Sequence, residues 1–322
     1  MWFKNLYVFE LLEPWNITEE NLNGMLEHNK FQKCAAASQS SVGWVSPLGR
    51  KSEMLSYHVN GYVMVCLRGE EKQVPSSLVN DELAQKVEMI EEAEGRRVSK
   101  RERHILKSDI YDDLLSRALV KSWQLHAYVD IKSNCLIINT SSAKKAELLT
   151  IMLRKALGSL KVALPGLAGT DMSELASPVE VLLTKWLKTN NYPKDLVIGQ
   201  KCVLQSVDDK AGVIRCQNQD LFRSEIKQFI EHDTFVSALT LTWEEKITFS
   251  ITKEYIFKGL KYLEFVQDQV NDIHTESDME KFDADFSVMS LLLSEFLARM
   301  KSIFSAPGLA SDAVVKESGL VV

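Results

Sequence analysis

Residues Ser77 to Arg117 read SLVNDELAQKVEMIEEAEGRRVSKRERHILKSDIYDDLLSR. Leu83, Val87 and Ile90 fall on one helical stripe, and Ile105, Ile110, Leu114 and Leu115 on a later one, with Gly95 breaking the pattern between them. The spacing predicts two helices joined near Gly95. So thin an apolar stripe over so long a stretch cannot build the core helices of a compact domain. The pair is therefore expected to stand out from the body as a helical finger over 77–117.

On either side the composition turns to strands. Leu6 to Leu12 is a compact apolar run, and Tyr57 to Val65 places an Asn60-Gly61 turn between two strand-like halves. Between them Thr18 is an N-cap for a helix carrying Leu22, Met25 and Leu26. Pro75-Ser76 punctuates the chain before the finger. Beyond it, residues 123–139 return to strand composition, and Ser141 or Ser142 caps a helix running to Leu157 and ended by Gly158. Pro165 to Gly169 reads as a linker, and Ser177-Pro178 opens a further helix. Residues 196–263 alternate strands, among them Leu239 to Leu241 and Ile247 to Ile251, with one helix near Ser224 to Glu231, and a last helix covers Asp278 to Phe304.

Without regular βαβ alternation, the predicted class is α+β. A central α+β domain is expected from 1–76 and 118–165, the finger from 77–117, a second α+β and helical region from 166–304, and a disordered tail over 305–322.

Of the 322 residues 45% are hydrophobic and 25% charged, the balance of an ordinary globular protein. No apolar run approaches the roughly 20 residues of a membrane span. Met1 to Leu6 reads as the start of a first strand and not as a signal peptide, so a cytosolic protein without membrane association is expected. Cys34, Cys66, Cys135, Cys202 and Cys216 are scattered through apolar runs and read as reduced thiols.

Most catalytic chemistry fails on spacing. Gly43 to Ser52 resembles a phosphate loop, but five residues separate its glycines, Arg follows the second, and Pro47 removes a backbone donor. No Cys-x-x-Cys or His-Glu-x-x-His motif suggests a metal, and no cofactor is expected. Asp112-Asp113, Asp208-Asp209 and Asp283-Ala284-Asp285 could each be offered as a metal-nuclease site, yet two of the three fall in predicted helix, where neighbours at i+1 or i+2 diverge. Helix N-terminal or solvated roles fit Asp283 and Asp285 better.

The basic residues are more informative. The net charge is -6, but Gly95 to Lys107 holds Arg96, Arg97, Lys100, Arg101, Arg103 and Lys107 against the lone Glu102. On a continuous helix 96, 100, 103 and 107 would form one stripe, with 97 and 101 beside it. The bland alternative is a solvated face neutralised by Glu88, Glu91, Glu92 and Glu94. A second cluster opens a helix at Lys144-Lys145 and returns at Arg154-Lys155, with Arg117 and Lys121 between the two clusters. Such segregation on an acidic chain is what phosphate tracking requires. No zinc finger, basic-region heptad or RNP signature is present, so backbone contact without base readout is expected.

Several segments, taken in order, resemble the recombination-associated RdgC family. They are Trp2 to Leu6, Gly43 to Gly49, Arg68 to Lys72 with Pro75-Ser76, Gly95-Arg96-Arg97, Ser142 to Glu147, Leu153 to Leu160, Gly212 to Arg215, Gln219 to Leu221 and Lys281 to Phe286. The resemblance implies a homodimer that closes into a ring around double-stranded DNA without sequence preference. It also implies a nucleoid-associated role in restraining RecA-driven recombination and in replication-linked repair, with no enzymatic activity. The finger would meet its dimer mate as a gate.

On that view Lys72, Arg96, Arg97, Lys100, Arg101, Arg117, Lys121, Lys144, Lys145, Arg154, Lys155, Arg215 and Gln219 contact DNA, and Leu119 lies in the dimer interface. Cys216-Gln217-Asn218 departs from the family's basic residues, Lys161 from its proline and Leu119 from its aromatic. The alternatives are a RecA-interaction protein with secondary DNA contact and, third, a metal-dependent nuclease.

Overall fold

The computed structural model describes residues 2–165, 177–206, 212–231, 234–263 and 277–304. All but Pro165 of the linker expected from Pro165 to Gly169, the Asp208-Asp209 pair and the tail from 305 lie outside the described residues. In chain order the elements are β1 (Asn5–Leu11), α1 (Glu19–Glu27), β2 (Ser40–Val45), β3 (Ser56–Val59), β4 (Tyr62–Lys72), α2 (Ser76–Glu94), α3 (Lys100–Arg117), β5 (Val120–Asp130), β6 (Cys135–Ile138) and α4 (Ala143–Leu157). There follow β7 (Val162–Ala163), α5 (Pro178–Thr189), β8 (Leu196–Ser206), β9 (Val213–Gln217), α6 (Ser224–Glu231), β10 (Thr234–Trp243), β11 (Ile247–Thr252), β12 (Phe257–Tyr262) and α7 (Asp278–Phe304). The class is α+β. Two compact units divide the chain: one takes 1–19, 57–64 and everything from 127, the other 20–56 and 65–126.

The first unit is built on a large antiparallel open sheet in the order β5-β6-β1-β12-β11-β10-β8-β9, with β7 on β1. Its helices are placed by their apolar faces. On α7, Phe286, Met289, Leu293, Phe296 and Met300 recur every three or four residues and are all buried. The Phe296 ring meets Phe249 at 4.8 Å, Phe257 at 5.2 Å and Trp243 at 5.6 Å, one aromatic from each of three neighbouring strands. Burying such a side chain contributes about 1.5–3 kcal/mol. The second core helix, α5, starts with a full capping box: Glu180 N donates to Ser177 Oγ and Ser177 N to Glu180 Oε2, with Pro178 at the first position.

In the second unit β2 pairs antiparallel with β4, from Ser40 opposite Glu71 to Val45 opposite Cys66. Gly43 is required there, because a Cβ would stand 2.4 Å from the Phe31 Cα, and backbone cannot step aside. The two helices predicted in 77–117 are present and pack on one another around Val79, Leu83, Val87 and Ile110, joined by half-buried Leu106, Tyr111 and Leu114.

Two details differ from the sequence reading. Ile105 is 52% exposed and Leu106 takes its place, since five residues before Ile110 is about 140° round the helix whereas four is nearly in line. Arg96 and Arg97 also do not continue the basic helix. They lie in the turn after Gly95, whose φ of 63° ends α2, and Ser99 starts α3 afresh by accepting from Glu102 N.

Candidate nucleic-acid interface

The turn between α2 and α3 is pinned at several points. Gly95 N donates to Glu91 O at 3.0 Å and Val98 N to Glu91 Oε1 at 2.9 Å. Arg96 bridges Glu94 at 2.6 Å and grips both oxygens of Glu102 at 2.8 Å. Those carboxylates raise the Arg96 pKa, and Arg96 in turn holds the Glu102 carboxyl below its usual range. Arg96 therefore serves the turn.

Its neighbours do not. Arg97, Lys100, Arg101 and Arg103 are exposed and make no ion pair among the described residues, so the acidic run on α2 does not neutralise them. Lys107 turns aside to donate to Asn80 Oδ1 at 3.0 Å, tying α3 to α2. Arg103 is the residue that the site reading left out, although its i+3 relation to Lys100 was visible in the sequence.

The remaining candidates of this unit differ in availability. Lys72 is 7% exposed, and its ammonium donates to Ala35 O at 2.9 Å and Ala36 O at 2.5 Å, which fixes that loop and leaves little for a phosphate. Arg117 is exposed and pairs with Asp113 one turn earlier. Lys121 is exposed at the start of β5. Between them Leu119 is 87% exposed and Val120 46%, an apolar step on an otherwise charged stretch.

In the first unit, α4 buries Ala146, Leu149, Thr150 and Leu153 and turns Lys144, Lys145, Arg154 and Lys155 outward. Lys144 and Lys155 are about three turns apart and share a face. Arg154 Nε donates to Leu160 O at 3.3 Å. Arg215 on β9 and Gln219 just beyond it are both exposed.

Helices α3 and α4 share an electrostatic anomaly. Each opens on two consecutive cations, Lys100-Arg101 and Lys144-Lys145, where the partial positive charge of the helix N-terminus disfavours them. The first turn of α4 has no acidic residue, and Ser142 makes no side-chain cap. At the uncapped start of α4 an anion brought to the exposed N–H groups would be held by both the dipole and the ammonium groups.

The carboxylates offered for nuclease chemistry are engaged separately. Asp283 accepts from the Tyr57 hydroxyl at 2.6 Å and Asp285 from Trp2 Nε1 at 3.1 Å. Among the described residues no three His, Cys, Asp or Glu side chains gather as metal ligands, and no helix is long and apolar enough to cross a membrane.

The fold and its charges define a class: a mixed α+β chain on an open antiparallel sheet, with a helix pair bearing cations that have no ion pair among the described residues. The model of the family described as "Putative exonuclease, RdgC" matches residues 1–306. The chain belongs to the RdgC family. It is similar to proteins named "Recombination-associated protein RdgC": 34% identical over 308 residues to that of Aeromonas hydrophila subsp. hydrophila, covering 96% of this chain and 98% of the relative. It is 34% identical over 304 residues to that of Psychromonas ingrahamii, covering 94% and 98%. Against the Yersinia pestis (strain Pestoides F) protein the figures are 34% over 308 residues, covering 96% and 98%. The relatives carry a recombination name and not that of an enzyme.

Proposed function

We propose that this protein binds double-stranded DNA through its phosphates, without reading sequence, as a homodimer that closes around the duplex. In this role it restrains RecA-dependent recombination and serves replication-linked repair at the nucleoid. One observation carries the reading: on a chain of net charge -6, Arg97, Lys100, Arg101 and Arg103 gather at one helix start and make no ion pair among the described residues. Cations left unpaired and set against their own helix dipole suit an external polyanion.

Encirclement accommodates the acidic balance, because a negative exterior is screened from a positive lumen beyond about 10 Å at working salt. The α2–α3 pair is the projecting gate in this reading, and exposed Leu119 beside it is the apolar contact between protomers. An electrophoretic shift of a random-sequence duplex at low and high salt tests the DNA reading. Binding at low salt that disappears at high salt supports it, and no binding at either removes it.

The exposed Leu119-Val120 step also favours a second reading, in which RecA itself is the partner and DNA contact is secondary. Pull-down of purified RecA without DNA, abolished by Leu119→Asp, would establish that alternative. Incubating labelled duplex with Mg²⁺ or Mn²⁺ tests nuclease activity, and cleavage lost in Asp283→Asn would overturn a purely binding role.

A further inference from the structure

Cys202 on β8 and Cys216 on β9 stand directly opposite one another in the antiparallel register. Their side chains share the inward face. Cys202 is 3% exposed inside the core and Cys216 is half buried against it, while Lys201, Arg215 and Gln217 between and beside them point outward. Burial, together with the neighbouring Cys216 thiol, pushes Cys202 up to about 12. The other three cysteines lack such a neighbour: Cys66 pairs in register with Val45, Cys135 with Glu10 and Asp130, and Cys34 donates to Ser38 O.

The geometry suits a covalent bond. Residues facing each other across an antiparallel pair have Cα atoms about 4.5 or 5.5 Å apart, and both values lie inside the roughly 4.4–6.8 Å window of disulfides. Their Cβ atoms, about 4.5–5.5 Å apart, must close by an ångström or so to reach the usual ~3.8 Å. β9 can supply that movement, since it ends the strand order and β8 is its one sheet neighbour among the described residues.

We propose that Cys202 and Cys216 are a modification site: a hydroperoxide oxidises them to a reversible intramolecular disulfide that staples the edge strand β9 to β8. The peroxide oxygen is transferred to the more accessible Cys216 sulfur, giving a sulfenic acid and one water (or alcohol, from an organic hydroperoxide). The Cys202 sulfur then attacks the sulfenic sulfur, the S–O bond breaks, and the thiol proton leaves with the hydroxyl as a second water. The scarcity of Cys202 thiolate makes the second step slow, so the bond forms under sustained rather than momentary oxidant. A dithiol reductant reverses it. The disulfide stands independently of DNA binding, although it fixes the strand that carries Arg215.

The full-length protein should be treated with hydrogen peroxide, its remaining thiols alkylated, and the unreduced digest weighed by mass spectrometry. The expected product is the Cys202 peptide joined to the Cys216 peptide, two hydrogens lighter than their sum and restored by dithiothreitol. Hydrogen exchange at β9 amides should slow by about tenfold or more in the oxidised protein. In Cys202→Ser, Cys216 should be trapped by dimedone as a sulfenic acid; in Cys216→Ser, Cys202 should stay reduced at the same dose. Alkylation of both wild-type thiols at a dose that already oxidises Cys34, or a linkage between two molecules in place of within one, would overturn the proposal.

Discussion

Replacing Arg97, Lys100 and Arg101 together by Ala removes three exposed cations without a described internal partner, and so separates a phosphate-binding ridge from a merely solvated helix. Each phosphate neutralised contributes about 0.9 to the slope of log affinity against log salt, so the triple variant should be shallower by about 2.7. Counting Arg96 would give about 3.6, but its guanidinium is already matched by Glu94 and Glu102 and has no net charge to offer. Between roughly 50 and 200 mM salt, a slope difference of 2.7 means that the unmodified protein loses about 40-fold more affinity than the variant. Fluorescence anisotropy of labelled duplexes of two unrelated sequences, titrated across that range, measures both slopes. An unchanged slope would return the ridge to the solvated-face reading and move the DNA surface to α4. A loss confined to one sequence would mean base readout and refute the mechanism.

Leu119→Asp should weaken self-association about 10-fold or more in Kd by sedimentation velocity, since burying a leucine at an interface contributes about 1.5–3 kcal/mol; an unchanged constant removes Leu119 from the contact. Burial lowers the His126 pKa to about 4, so this ring is neutral in the fold and must gain a proton on unfolding in acid. Its depressed value means that stability is complete above the ordinary histidine range and is lost as pH falls from about 6.5 towards 4, by about 3 kcal/mol in all; His126→Gln should flatten that part of a denaturation-versus-pH curve. Gly43→Ala should destabilise by about 1–3 kcal/mol in urea unfolding, because the added methyl meets the Phe31 backbone, and a neutral result would contradict that close approach.

Where local chemistry sets the chain path, the sequence was readable. Asn60 and Gly61, with φ of 50° and 82°, make the turn between β3 and β4 that their identities announce. Ser177-Pro178 opens α5, Gly158 closes α4, and α7 spans Asp278 to Phe304 as its three-and-four spacing requires. What was not readable depends on side chains finding partners. Arg96 and Arg97 have the spacing of a helix stripe, yet Gly95 and the Ser99 cap place them in a turn. Arg96 and Lys72 are as basic as Lys100, and only tertiary contacts reveal that carboxylates engage the first and backbone carbonyls the second. The facing of Cys202 and Cys216 depends on strand register, which neither cysteine signals by its own neighbours in sequence.

The central claim is that a closed dimer surrounds the duplex, and topology tests it without reference to any one residue. The protein should be bound at low salt to a nicked circular plasmid and to the same plasmid cut once, then challenged with salt high enough to abolish phosphate contacts. Encirclement predicts that the circle retains protein through the salt wash and releases it when a restriction enzyme opens the ring, while the linear molecule loses it from its ends. Equal loss from both forms would contradict the account.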